Sequence, residues 1–147
     1  MKDKTIDYVL RTSWLTVSKM YNEEAAKFDS TMATGLTLLS IDQEKGTPST
    51  ALGPKMGMEA TSLSRILKTM EKHGLIERRA NPEDGRSVLI YLTEFGREKR
   101  AYSKQKVLTF NEAIRNNISA EKLNHFYEVA ELINEMVTNK KIYNQNK

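Results

Sequence analysis

A chain of 147 residues, 39% hydrophobic and 29% charged, fits one globular domain able to bury a real core, and is too apolar to be disordered. Its formal net charge of +4 and sequence pI near 9.2 are compatible with a polyanionic partner without requiring one. The absence of cysteine excludes disulfides, thiolate catalysis, thiol redox sensing and Cys-based zinc sites, and His73 and His125 lie too far apart in sequence to suggest a metal centre.

No run of about 18 apolar residues is long enough to span a membrane. The charged opening MKDKTIDYVLRTSW has no apolar segment like that of a secretory leader, so the expected location is the cytoplasm. No phosphate loop or nucleophile motif such as G-x-S-x-G occurs, so no enzyme activity, catalytic residue, metal or cofactor is expected.

Along the chain, Ile6, Val9, Leu10, Trp14, Val17, Met20, Tyr21 and Phe28 recur at spacings of three and four, which predicts a long amphipathic helix over 5–28. Met32, Leu36, Leu38, Leu39 and Ile41 predict a second helix over 31–44, closed by Gly46. Thr47-Pro48 reads as the N-cap and first position of a third helix. Gly53-Pro54 interrupts that helix and predicts that it is short, kinked or restarted, because an interior proline costs roughly 3 kcal/mol.

Gly57 supplies a turn, and 59–73 form a fourth helix with Leu63, Ile66, Leu67 and Met70 inward. Gly74 ends it. Strands at 76–79 and 88–92 flank the turn-rich loop ANPEDGRS and predict a β-hairpin. Thr93 caps a long charged helix to 117, and Ser119 caps a last one, to about 140, striped with Leu123, Phe126, Val129, Leu132, Ile133, Met136 and Val137. The fold class is therefore mainly α: six helices and one hairpin, a winged helix-turn-helix flanked by long helices.

The first and last helices carry apolar stripes that a small winged helix cannot cover. Pairing with a second copy is the simplest way to bury them, and packing inside a monomer is the alternative.

Two stretches carry a family resemblance. One is Ala60 to Ile76, ATSLSRILKTMEKHGLI; the other is the wing RRANPEDGRS from Arg78, followed by Leu92-Thr93-Glu94-Phe95-Gly96. Together they resemble the MarR family of bacterial transcriptional regulators, over nearly the whole chain. The resemblance implies a single domain over 1–147, with dimerisation helices at 5–30 and 115–140, a DNA-binding lobe at 31–92 and a connecting helix at 93–117. It further implies a homodimer that binds a near-palindromic double-stranded operator, mostly as a repressor, and that is released by a small anionic aromatic or lipophilic ligand. A winged-helix protein-interaction module, or an activator without an effector, is the alternative.

The N-terminal half of a recognition helix faces base edges. This selects Ala60, Thr61, Ser62, Ser64 and Arg65, with Lys68 and Thr69 nearer the backbone. Arg65 has a guanine, a phosphate or an intraprotein carboxylate as candidate partners. Glu59 stands where the family usually has Ser, Asp or Thr, and is either a solvated first-turn carboxylate or an acceptor for cytosine N4.

On the wing, Arg86 is the leading candidate for minor-groove insertion, oriented by an ion pair with Asp84, the alternative being a surface salt bridge that only shapes the turn; Ser87 follows it. Arg78 and Arg79 alternate faces, so one is expected to face DNA and the other the protein. Thr47, Ser49, Thr50 and Lys55 are candidate backbone contacts. His73, in the last turn of the recognition helix, reads as a structural cap. Tyr8, Arg11, Trp14, Tyr21 and Met32 are either core or the lining of an effector pocket.

Overall fold

The long helices begin at hydroxyls that turn back on their own backbone. In the computed structural model, which describes residues 4–144, Thr5 Oγ1 accepts the Tyr8 N–H at the start of α1 (Ile6–Ala26). Thr31 Oγ1 accepts the Thr34 N–H ahead of α2 (Met32–Ser40). Thr93 Oγ1 accepts the Gly96 N–H ahead of α5 (Glu94–Asn117), and Ser119 Oγ the Lys122 N–H ahead of α6 (Ala120–Thr138). Each satisfies a donor the first helical turn leaves free.

α2 stops at Ser40, four residues short of the expected end. Ile41 is extended, and Asp42 Oδ1 accepts the N–H groups of Glu44 (2.9 Å) and Lys45 (2.8 Å). That side chain closes a tight turn in competition with the helix.

The turn delivers Thr47-Pro48 into a short strand, β1, rather than into the start of a helix. β1 (Thr47–Pro48) pairs antiparallel with β3 (Val88–Leu92), Thr47 opposite Ile90 and Pro48 opposite Leu89. β3 also pairs with β2 (Ile76–Ala80), so the sheet has three strands in the order β1-β3-β2 instead of a lone hairpin. An edge strand tolerates the proline because it needs no further donor.

α3 (Ser49–Met56) is short, as expected, but runs without a restart through Gly53-Pro54. The bond that Pro54 cannot make would have ended at Thr50, an exposed residue that water reaches. Gly57 then adopts φ 63°, and the N–H groups of Gly57 and Met58 reach back to the carbonyls of Pro54 (3.3 Å) and Gly53 (2.9 Å). A side chain at Gly53 would come within 2.9 Å of the Met58 carbonyl, so the reversal into α4 (Ala60–Lys72) needs glycine there.

α4 buries Leu63, Leu67 and Met70 against Leu38, Ile41, Leu52, Leu75, Ile76, Ile90 and Leu92. Among the described residues the buried apolar core thus lies between Leu38 and Leu92. The chain divides into two compact units, one ending at Lys106 and one beginning at Val107.

In the first unit α1 has no buried residue, and Ile6 (69% exposed), Trp14 (55%) and Leu15 (60%) face outward. It is held to the first half of α5 by the ion pair of Glu24 with Lys106 (3.1 Å) and by Phe28 against Tyr102, ring centres 4.2 Å apart. In the second unit α6 has no buried residue either, and Phe126, Val129, Leu132 and Val137 are all more than half exposed.

Candidate nucleic-acid interface

With its apolar side turned into the core, α4 presents the opposite face to solvent. Glu59, Ala60, Thr61, Ser62, Ser64, Arg65, Lys68 and Thr69 are all exposed. Short side chains occupy the first turn, so the helix backbone can approach a surface closely. Among the described residues neither Arg65 nor Lys68 has a carboxylate partner. Glu59 takes the N-cap position with extended backbone, and its side chain makes no capping bond.

The wing is shaped by its own side chains. Asn81 Oδ1 accepts the Glu83 N–H (3.0 Å), and Asn81 Nδ2 donates to Ser87 Oγ (3.0 Å) across the loop. Asp84 Oδ1 accepts the backbone N–H of Arg86 (2.9 Å). Asp84 therefore fixes the turn, and the expected ion pair with the Arg86 guanidinium is not formed. Arg86 is left exposed at the loop. Ser87, only 6% exposed, is an internal brace, which removes it from the outward-facing set.

Both arginines of β2 have protein partners. Arg78 Nε donates to Glu71 Oε2 on α4 (3.0 Å). Arg79 pairs with Glu77 and lies over the Tyr91 ring, 4.1 Å from its centre. The expected division, one toward DNA and one toward protein, is replaced by two tethered cations. Tyr91 was missed as a functional neighbour, although hairpin register places it diagonal to Arg79 on the same face.

Around α3 the residues separate. Thr47 is buried at 8% exposure and its Oγ1 accepts the Asp42 N–H (2.9 Å), so it too leaves the outward set. Ser49 is half-buried and Thr50 exposed. Lys55 Nζ donates to the Ser40 carbonyl (2.7 Å) and so closes the end of α2. His73 sits at the C-terminal end of α4 and is exposed.

The five residues suggested for an effector pocket do not converge within one chain. Tyr8, Arg11 and Trp14 are exposed along α1, with the Arg11 guanidinium 5.8 Å from the Tyr8 ring centre, while Tyr21 and Met32 are half-buried further on. The 13 residues from Tyr8 to Tyr21 span about 20 Å of helix, too long for one small ligand to touch both. Burial raises the Tyr21 hydroxyl above its ordinary value. Nearby, hydrogen bonds from Lys27 and then Lys106 hold the Glu24 carboxyl below its ordinary range, and the bond to Glu24 raises Lys106.

A short helix, a tight turn, an exposed amphipathic helix and a three-stranded sheet with a cationic wing make a winged helix-turn-helix protein. Residues 31–88 match the family model described as MarR family.

The organic hydroperoxide resistance transcriptional regulator of Bacillus subtilis (strain 168) is 34% identical over 89 residues, covering 60% of this chain and 60% of that one. The chain spans 43 to 60% of the length of the first curated relatives it matches. Solved structures extend the likeness at the level of fold. The MepR–DNA complex of S. aureus superposes with a TM-score of 0.82 at 19% identity, covering 91% of this chain and 99% of that one. CouR from Rhodococcus jostii RHA1, bound to p-coumaroyl-CoA, gives 0.77 at 21%, covering 88% and 92%.

Proposed function

We propose that this chain is a homodimeric regulator of transcription that binds a near-palindromic double-stranded operator in the cytoplasm, represses, and is released by a small anionic aromatic or lipophilic ligand. The observation that carries the DNA-binding reading is the exposed hydroxyl-rich and cationic face of α4, with the exposed Arg86 on the adjoining wing. A helix of about 10–12 Å diameter fits the major groove, and a guanidinium on a neighbouring hairpin fits the narrow minor groove beside it.

The apolar faces of α1 and α6 support self-association. Both are helices without a buried residue, and a second copy related by a two-fold axis would cover them. The same axis would present two α4 helices to two half-sites one helical turn apart. Release by a ligand is supported by the p-coumaroyl-CoA complex of CouR, a protein of the same fold. The absence of cysteine excludes thiol oxidation as a route to release.

The test is a gel shift with the duplex upstream of the protein's own coding sequence. Arg86→Ala is expected to weaken binding about tenfold or more while leaving the dimer and its melting temperature unchanged. Unaltered affinity in that variant would remove the wing from the interface. A thermal-shift screen of phenolic acids and fatty-acyl compounds tests the ligand; failure of any to raise the melting point would leave an effector-independent regulator.

A further inference from the structure

We propose that Glu59 is a base-reading residue that selects cytosine at one fixed position of each half-site; this rests on the DNA-binding reading above. Three observations converge on it. First, the carboxylate is not used by the protein. Thr5, Thr31, Thr93 and Ser119 all cap their helices by turning a hydroxyl onto the backbone, whereas Glu59, in the same position and with the same extended backbone, makes no such bond. Among the described residues it has no ion-pair partner either, although cations stand further along the same helix.

Second, its place is the leading end of the exposed face, the part of a recognition helix that meets base edges. The following residues, Ala60, Thr61 and Ser62, are short, so nothing bulky holds the carboxylate away from the groove floor. Third, a shallow and mostly apolar recess adjoins it, lined by Pro54, Met58, Ala60 and Leu63 together with Ser49 and Thr50.

Acceptor and apolar recess together match one base. Guanine offers O6 and N7, and thymine O4; all are acceptors that a carboxylate repels. Adenine and cytosine each offer an amino donor. Adenine's neighbouring atom is the N7 acceptor, while cytosine's neighbour is the apolar C5–H edge, which the mostly apolar lining suits better. The carboxylate therefore excludes two bases, and the recess separates the remaining pair.

The experiment is selection from a random-sequence duplex pool by the full chain, comparing the native protein with Glu59→Ala and Glu59→Gln. Glu59 is exposed and caps nothing, so both variants are expected to fold, and circular dichroism melts verify it. The native protein is expected to enrich a half-site with cytosine at one position, about tenfold or more over each other base. Glu59→Ala is expected to lose the preference there and keep every other position. Glu59→Gln is expected to move it toward adenine, whose N6 and N7 suit a side-chain amide.

Enriched half-sites identical in the native protein and Glu59→Ala would overturn the proposal. So would a uniform gain in affinity for all sequences, the mark of a carboxylate that only repels phosphate. If the native protein enriches no sequence at all, the DNA-binding reading itself fails, and the inference with it.

Discussion

Gly96 is the position where a single methyl group should do most damage. It lies buried at the start of α5, facing the backbone of the segment that leaves α4. A Cβ there would stand 2.0 Å from the Leu75 carbonyl oxygen, far inside contact distance, and the obstacle is backbone rather than a side chain that can swing away.

The same carbonyl accepts the Thr93 N–H (3.1 Å); Thr93 Oγ1 donates to the Gly74 carbonyl (2.6 Å) and accepts the Gly96 N–H (3.0 Å). Moving apart to admit the methyl therefore breaks into a three-bond knot. Overpacking costs about 1–3 kcal/mol and each strained hydrogen bond about 1 kcal/mol, against about 1 kcal/mol gained from the helix preference for alanine. The net expectation for Gly96→Ala is a loss of about 2–3 kcal/mol, or about 5–10 °C in melting temperature for a chain of this size. Thermal unfolding followed by circular dichroism measures it directly. A variant melting within a degree of the native protein would show that α5 is not docked on this carbonyl and would refute the knot.

Two further changes probe the lobe. Thr47→Val keeps shape but removes the acceptor for the Asp42 N–H, and should lower stability by about 1 kcal/mol in urea unfolding. Asp42 sets an acid dependence. Backbone N–H groups of Lys45 and then Glu44 hold its carboxyl below the ordinary 3.8, so its contribution is complete above that value and is lost as pH falls through the lowered one. Asp42→Asn should accordingly flatten the stability profile in that acid window and leave the neutral region sloping as before.

The recognition helix was legible because its inward and outward residues separate at helical spacing, and because glycines mark both of its ends. The caps at Thr93 and Ser119 were legible for the same local reason. The failures share a different cause. Thr47-Pro48 has every local mark of a helix start, yet pairing with Ile90 and Leu89, far along the chain, turns it into a strand. The end of α2 was misplaced because Asp42 follows an apolar helical run, and periodicity does not weigh a carboxylate's bonds to the two N–H groups ahead. Asp84 and Arg86 suggested attraction between charges, whereas the carboxylate reaches the nearer backbone donor. Burial of Ser87 could not be read from DGRS, because it depends on Asn81 crossing the loop.

The number of cations free to meet DNA is smaller than the sequence implies, and this has a measurable consequence. Lys55, Arg65, Lys68, Arg78, Arg79 and Arg86 all lie on or beside the outward face. Three of them are engaged: Lys55 with the Ser40 carbonyl, Arg78 with Glu71 and Arg79 with Glu77. The pairs are half-exposed and worth only about 0–1 kcal/mol each, so DNA could pull the arginines away. The carboxylates would remain beside the phosphates, however, and the net charge brought to the duplex by each pair stays near zero. Release of condensed counterions follows the charge delivered, at a slope of about −0.9 per neutralised phosphate.

Lys55 keeps its charge because its partner is a neutral carbonyl, so Lys55, Arg65, Lys68 and Arg86 from each of two protomers predict a slope of about −7 for log affinity against log salt, where all the cations acting would give about −11. Titration of operator binding between low and moderate salt measures this slope. A value near −11 would mean that Glu71 and Glu77 are displaced or protonated on binding, and that the ion pairs of β2 are a resting arrangement only. A value near −7 that steepens in Glu71→Gln and Glu77→Gln would place those two carboxylates as the groups that hold the wing's affinity down.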